Sequence, residues 1–223
     1  MNCFKTLLHR ICITLLFLPH YMCPVQAQTP ALNATDIFNT LTRYAEKSVF
    51  YEYELVNQIA KSGQSENIFR ELEAKADNHQ FRARIYAIKA AVLYYEDVKP
   101  DYNSVEEHRA SPPAKAEILA LYVKAMNEAY VTGDDRLIAQ TSIFYGQHCY
   151  VLKELELAVT YTVNGLELNE KLGVENSPQD YLVVGEIFYK IREYGECVKN
   201  SIKAFKLYEQ RKERADTVRM MFS

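Results

Sequence analysis

Acid–base or metal chemistry in the body of this chain would have to be built on His79, His108 and His148. None of them stands four residues from another His or Cys, the spacing that lets two ligands share one helical face around a zinc ion. His148 and Cys149 are adjacent, so on a helix they point in different directions and do not form a pair. Carboxylate doublets occur at Glu106-Glu107 and Asp134-Asp135. Both are local, and the second follows Gly133, where a helix cap is wanted. The stretch from Lys99 to Ala110 gathers Asp101, Glu106, Glu107, His108 and Arg109, the composition of a solvated connection. The seven glycines sit singly at helix ends, turns and packing positions, so no glycine-rich loop is available to cradle a phosphate. The reading is therefore of a non-enzyme with no cofactor and no metal, whose function is binding.

The ends and the charge narrow that reading. Residues 1–27 have the form of an export signal: Lys5 and Arg10, an apolar run from Ile11 to Leu18, and a Val25-Gln26-Ala27 cleavage site. The residues before Cys23, His20-Tyr21-Met22, lack the small side chains of a lipoprotein site, so the mature chain is expected to begin at Gln28. The apolar run is far shorter than the ~20 residues needed to cross a bilayer, and no later stretch is longer, so no membrane span is expected. Taking Lys5 and Arg10 from 26 basic residues leaves 24 against 29 acidic ones, a net charge of −5. Interspersed charges with an acidic balance argue against nucleic acid as a partner. Of five cysteines, only Cys149 and Cys197 lie beyond the signal, too few for a disulfide framework and well placed to be small buried packers.

The elements that must position any site are helices. Apolar residues recur at spacings of three and four throughout, as at Ile37, Leu41 and Tyr44, and no window alternates in the manner of a strand. The spacing predicts helices over 35–61, 65–76, 79–97, 113–131, 135–150, 154–171, 179–191 and 194–210, with Gly63, Gly133 and Gly173 as stops. Ser111 before Pro112, and Ser177 before Pro178 with Asp180 three residues on, are N-cap sequences. Thr132-Gly133-Asp134 leaves almost no linker, so the helices on either side must pack as neighbours.

Two of these helix pairs echo each other. Gly146, Ala158 and Gly165 return thirty-nine residues later as Gly185, Cys197 and Ala204, small residues at the spacing that lets paired helices approach closely. The window from Pro178 to Glu209 resembles a tetratricopeptide repeat (TPR), with Gly185, Phe188, Tyr189, Tyr194, Cys197 and Ala204 at that motif's small and aromatic positions. In the window before it, Tyr145, Gly146, Ala158 and Gly165 match, while Ser142 and the Lys153–Leu155 turn depart from the pattern. The surplus over the usual ~34-residue period falls in Asn169 to Gln179. A weaker third pair is read in 79–97 and 113–131, with Ala125 in phase with Gly165.

The resemblance implies an all-α, right-handed solenoid of antiparallel helix pairs. It divides the chain into the signal, N-terminal helices over 28–78 that pack on the solenoid, and repeats over 79–223, clearest in 134–210. It also implies a concave groove lined by the first helices, holding a protein or peptide partner. Transferred by position, its floor is Gln140, Ile143, Gln147, Tyr150 and Val151 in one repeat and Gln179, Leu182, Glu186, Tyr189 and Lys190 in the next. A floor with one lysine beside a glutamate does not suit a clamp for a C-terminal carboxylate. The whole arrangement is similar to exported bacterial TPR proteins of the periplasm or cell surface. It is similar also to the periplasmic sensory regions of histidine kinases and transcriptional regulators, which gives the alternative reading. One further period from Gly185 falls at 224, so the chain is expected to be truncated within a repeat, with Val218, Met220, Met221 and Phe222 making a poor cap. In a eukaryotic secreted protein, Asn33-Ala34-Thr35 would be a glycosylation sequon.

Overall fold

Helix caps read from the sequence are made in three dimensions. In the computed structural model, which describes residues 33–46, 53–98 and 110–221, the Ser111 hydroxyl accepts from the Ala114 amide, with proline in the first turn. The Asp134 carboxylate accepts from the amides of Arg136 and Leu137. Ser177 and Asp180 form a reciprocal capping box that spans Pro178 in the first turn. Each cap satisfies backbone donors that a helix start leaves without partners.

The described residues form nine helices and no strand: α1 (Ala34–Glu46), α2 (Tyr53–Lys61), α3 (Ser65–Lys75), α4 (His79–Val98), α5 (Pro112–Thr132), α6 (Asp135–Val151), α7 (Leu155–Lys171), α8 (Pro178–Lys190) and α9 (Tyr194–Met221). The fold class is all-α. The single helix expected over 35–61 is two helices, with 47–52 outside the described residues, and the last helix runs past 210 to Met221. The export signal, the polar stretch 99–109 and Phe222 also lie outside the described residues.

The chain divides into two compact units, Gln28–Val174 and one containing Glu175–Ser223. In the first, α4 packs chiefly on α5 and α6 on α7, while α1 to α3 are joined to them through α2 and α3 against α4. The short Thr132-Gly133-Asp134 link does make α5 and α6 neighbours. Its core holds Ile37, Leu41, Val56, Ile59, Leu72, Ile85, Ile88, Ile118, Tyr122 and Leu137 at 2% exposure or less. In the second unit, α8 and α9 form a hairpin around Val184, Ile187 and Ala204.

Within these hairpins the sequence echo is a geometric one. A Cβ on Gly146 would stand 2.6 Å from the Thr162 backbone nitrogen and 3.0 Å from the Ala158 carbonyl of α7. A Cβ on Gly185, thirty-nine residues on, would meet the Cys197 carbonyl and Ser201 hydroxyl at 3.3 Å. Thr162 and Ser201 are themselves in register, and both turn their hydroxyls back to the carbonyl four residues earlier, at 2.7 and 2.9 Å. The turns repeat as well. The Glu154 amide donates to the Cys149 carbonyl and the Glu193 amide to the Phe188 carbonyl, both at 2.8 Å. Lys153 and Arg192 hold the left-handed conformation between them, with φ of 65° and 68°. This is a Schellman closure made without glycine.

Candidate functional site

The positions transferred as a groove floor fall into two rows, one on each unit. On α6, Gln140, Gln147 and Tyr150 are half-buried and Val151 is exposed. Ile143 is not on that surface. It is buried, and a Cβ on Gly165 of α7 would stand 2.7 Å from its Cγ1, so this side chain points into the helix pair instead of away from it. The correction follows from Gly165, whose missing side chain opens the space that Ile143 fills. On α8, Gln179, Leu182 and Glu186 are half-buried, and Tyr189 and Lys190 are exposed. The Tyr189 ring meets Tyr194 edge-on with centroids 5.8 Å apart. The Tyr208 hydroxyl on α9 reaches Gln179 Oε1 at 3.5 Å, and Lys203 lies over the Tyr181 ring at 5.1 Å.

The densest polar and aromatic cluster was not singled out from sequence. His148 of α6 is 4% exposed, and its Nδ1 lies 2.7 Å from the Tyr122 hydroxyl of α5 and 3.1 Å from the Phe144 carbonyl one turn back. A carbonyl only accepts, so the tautomer that uses both oxygens carries its proton on Nδ1 and donates to each. Tyr122 stacks on Tyr145 at 5.1 Å, Tyr94 of α4 meets His148 edge-on at 5.9 Å, and Tyr161 of α7 lies 4.2 Å from Tyr145. Burial lowers the His148 pKa to about 4, against a smaller opposing effect of the Phe144 hydrogen bond. The same burial raises Tyr145 far above its ordinary value, helped by the neighbouring Cys149, Tyr161 and Glu154 charges. The one signal available in the sequence was Tyr145 three residues before His148 on a predicted helix.

Chemically this cluster holds a neutral imidazole among phenols inside a helix junction, where it ties α4, α5 and α6 together. Cys149 beside it is fully buried, with its thiol pushed up to about 12 by burial and by the Glu154 charge. A thiol so disfavoured as thiolate is a poor nucleophile. Cys197 is half-buried, and both thiols are free. Arg84 of α4 is 2% exposed; desolvation pulls its pKa down to about 10, opposed by attraction to Asp134. Among the described residues no three His, Cys, Asp or Glu side chains lie close enough to hold a metal ion. No helix among them is long and apolar enough to cross a membrane. A depression between α1 and α2, lined by Asp36, Ile37, Thr40, Tyr44, Glu54, Leu55 and Gln58, measures about 150 Å³. Small-molecule pockets are ~300–1,000 Å³, so this one is too small to enclose a typical metabolite.

No family model matches this sequence, and neither a curated protein nor a solved structure matches it significantly. The functional reading therefore stands on the geometry of the chain.

Proposed function

We propose that this chain is an exported, non-catalytic, TPR-like helical-repeat protein of the solenoid class, acting by binding protein or peptide segments along the first helices of its hairpins. The observation that carries this reading is the recurrence, at an offset of thirty-nine residues, of the same close contact, hydroxyl back-bond and left-handed turn in α6–α7 and α8–α9. A hairpin repeated with its internal contacts intact is a unit for presenting side chains on its outer surface. The rows offered are Gln140, Gln147 and Tyr150 on α6, and Gln179, Leu182, Glu186, Tyr189 and Lys190 on α8. Tyr and Gln combine apolar area with adaptable hydrogen bonding, the chemistry by which helical surfaces hold peptides. The basic n-region, apolar run and Val25-Gln26-Ala27 site support export, with Gln28 as the mature N-terminus.

Selection of a displayed peptide library on the chain beginning at Gln28 tests this. Specific peptides should be enriched, and their binding should fall at least tenfold in Tyr150→Ala or Glu186→Lys while Asp77→Ala leaves it unchanged. No enrichment above a helical control protein, or enrichment indifferent to both rows, would overturn the reading.

A further inference from the structure

On α9, Tyr194, Val198, Ile202, Phe205 and Tyr208 follow one another at spacings of four, four, three and three, and are 43 to 60% exposed. Asn200 and Ala204, toward the other side of the helix, are buried. Tyr189 of α8, exposed and in edge contact with Tyr194, extends the row. Thirty-nine residues earlier on α7, the equivalents of the first four behave differently. Leu155, Val159 and Val163 are half-buried and Leu166 is 4% exposed. The same register is covered on one helix and open on the other, with larger side chains at three of the four open positions. A continuous row of this size marks an interaction surface.

We propose that this face is an interface between two copies of the chain, with their α9 helices packed antiparallel about a twofold axis beside Ile202. Twofold contacts require a self-complementary surface, in which residue i meets j and j meets i. The spacing comes close to one: antiparallel pairing about that axis sets Ile202 against its own copy, Val198 within one residue of the level of Phe205, and Tyr194 within two residues of the level of Tyr208. The charges bordering the row are of mixed sign, so a like copy is not repelled. Lys199 is held by Glu196 at 3.1 Å, and Lys206 lies three residues before Glu209. Taking ~150–250 Å² for a whole aromatic side chain, half of four aromatic residues with half of Val198 and Ile202 is on the order of 550 Å² per copy. A pair would bury about 1,100 Å², past the ~1,000 Å² expected of a real interface and near the lower end of the stable range. That size is characteristic of a weak, reversible association. The proposal uses the α9 face and shares Tyr189 alone with the α8 row offered as a peptide site, so the variants that test it lie on α9.

Sedimentation of the mature chain over a concentration range spanning the micromolar decade tests it. The wild-type chain should pass from monomer to dimer, and Ile202→Glu and Phe205→Glu should remain monomeric with unchanged helical circular dichroism. In a Cys197→Ser background, Ile202→Cys should form a disulfide with its own copy under mild oxidation, and Lys212→Cys should not; this decides the matter even where a charged variant misfolds. A monomer throughout, a dimer that survives Ile202→Glu, or failure of Ile202→Cys to bridge would overturn the proposal. So would an α9 face that binds phosphatidylglycerol vesicles or a different protein as a monomer.

Discussion

Acidification should loosen this protein through His148, by an amount that can be worked out in advance. The imidazole is buried, donates through Nδ1 to Tyr122 and Phe144, and has its pKa lowered from 6.5 to about 4 by burial. In the unfolded chain it recovers its ordinary value. Between those two pKa values the unfolded state takes up the proton and the folded state does not, so stability falls as pH falls. The contribution is fully present above about pH 6.5 and is lost progressively as pH approaches 4. At ~1.4 kcal/mol per pKa unit, this shift corresponds to about 3 kcal/mol for the fully enclosed imidazole, which is a large share of the ~5–15 kcal/mol that holds a typical domain folded. Carboxylates also titrate over this range, so the measurement must be differential. Urea unfolding of wild-type and His148→Leu should be followed between pH 7 and pH 4. The variant loses packing and hydrogen bonds at every pH, but the gap between the two proteins should move by about 3 kcal/mol in favour of the variant on acidification. A gap that stays constant within ~0.5 kcal/mol, the ordinary scale of additive independent effects, would refute the reasoning. Tyr122→Phe should cost ~1 kcal/mol at pH 7, the usual value of one such hydrogen bond.

The close approaches in the hairpins give an ordering. Gly146→Ala and Gly165→Ala place a methyl against backbone atoms at 2.6 to 3.0 Å and should cost ~1–3 kcal/mol each. Gly185→Ala meets its nearest atoms at 3.3 Å, and the ~0.5–1 kcal/mol of helix preference gained over glycine should leave it near neutral; equal melting points for the three variants would contradict the contact geometry. Arg192 holds φ of 68°, a conformation that costs a side-chain-bearing residue ~1–2 kcal/mol. Arg192→Gly should therefore raise stability by ~0.5–1 kcal/mol once glycine's greater freedom in the unfolded chain is subtracted. Gly133→Ala, at φ of 66°, should lower it by about 1 kcal/mol; chemical unfolding of both variants shows whether the signs are opposite.

Much of the fold was legible because it rests on local chemistry. Ser111, Asp134 and Ser177 cap the helices at which their sequences pointed, since a hydroxyl or carboxylate at an N-cap needs nothing beyond the next three residues. The small-residue echo was legible because close helix approach leaves few residue types available. What the sequence hides is which side of an aromatic-rich helix faces inward. Tyr122 and Tyr145 are core and Tyr189 and Tyr194 are surface, yet all four are tyrosines at helical spacing. A phenol suits both settings, being apolar along its ring and polar at its tip. The same ambiguity misplaced Ile143, whose burial is set by a glycine on the facing helix, twenty-two residues on. The turns at Lys153 and Arg192 were equally hidden, because a left-handed position filled by a long cationic residue carries no signal of its own.

Comparison of the two hairpins at equal register separates what the fold requires from what it does not. At the inner positions the chain keeps small residues in both: Gly146 and Gly185, Ala158 and Cys197, Gly165 and Ala204, with Thr162 and Ser201 making the same hydrogen bond. Helix approach leaves no alternative there. Along the outer row three positions become aromatic. Leu155 becomes Tyr194, Leu166 becomes Phe205 and Asn169 becomes Tyr208, from a buried or half-buried side chain to a larger aromatic one that is 43 to 60% exposed. Within the hairpin Tyr194 meets only the edge of Tyr189 and Tyr208 reaches Gln179, and the area left in water forgoes the ~25 cal/mol per Å² that burial would return. A helix that keeps its inner face small while enlarging its outer one is under a demand from outside the hairpin, and a second α9 laid across Ile202 is a surface of matching spacing that meets it.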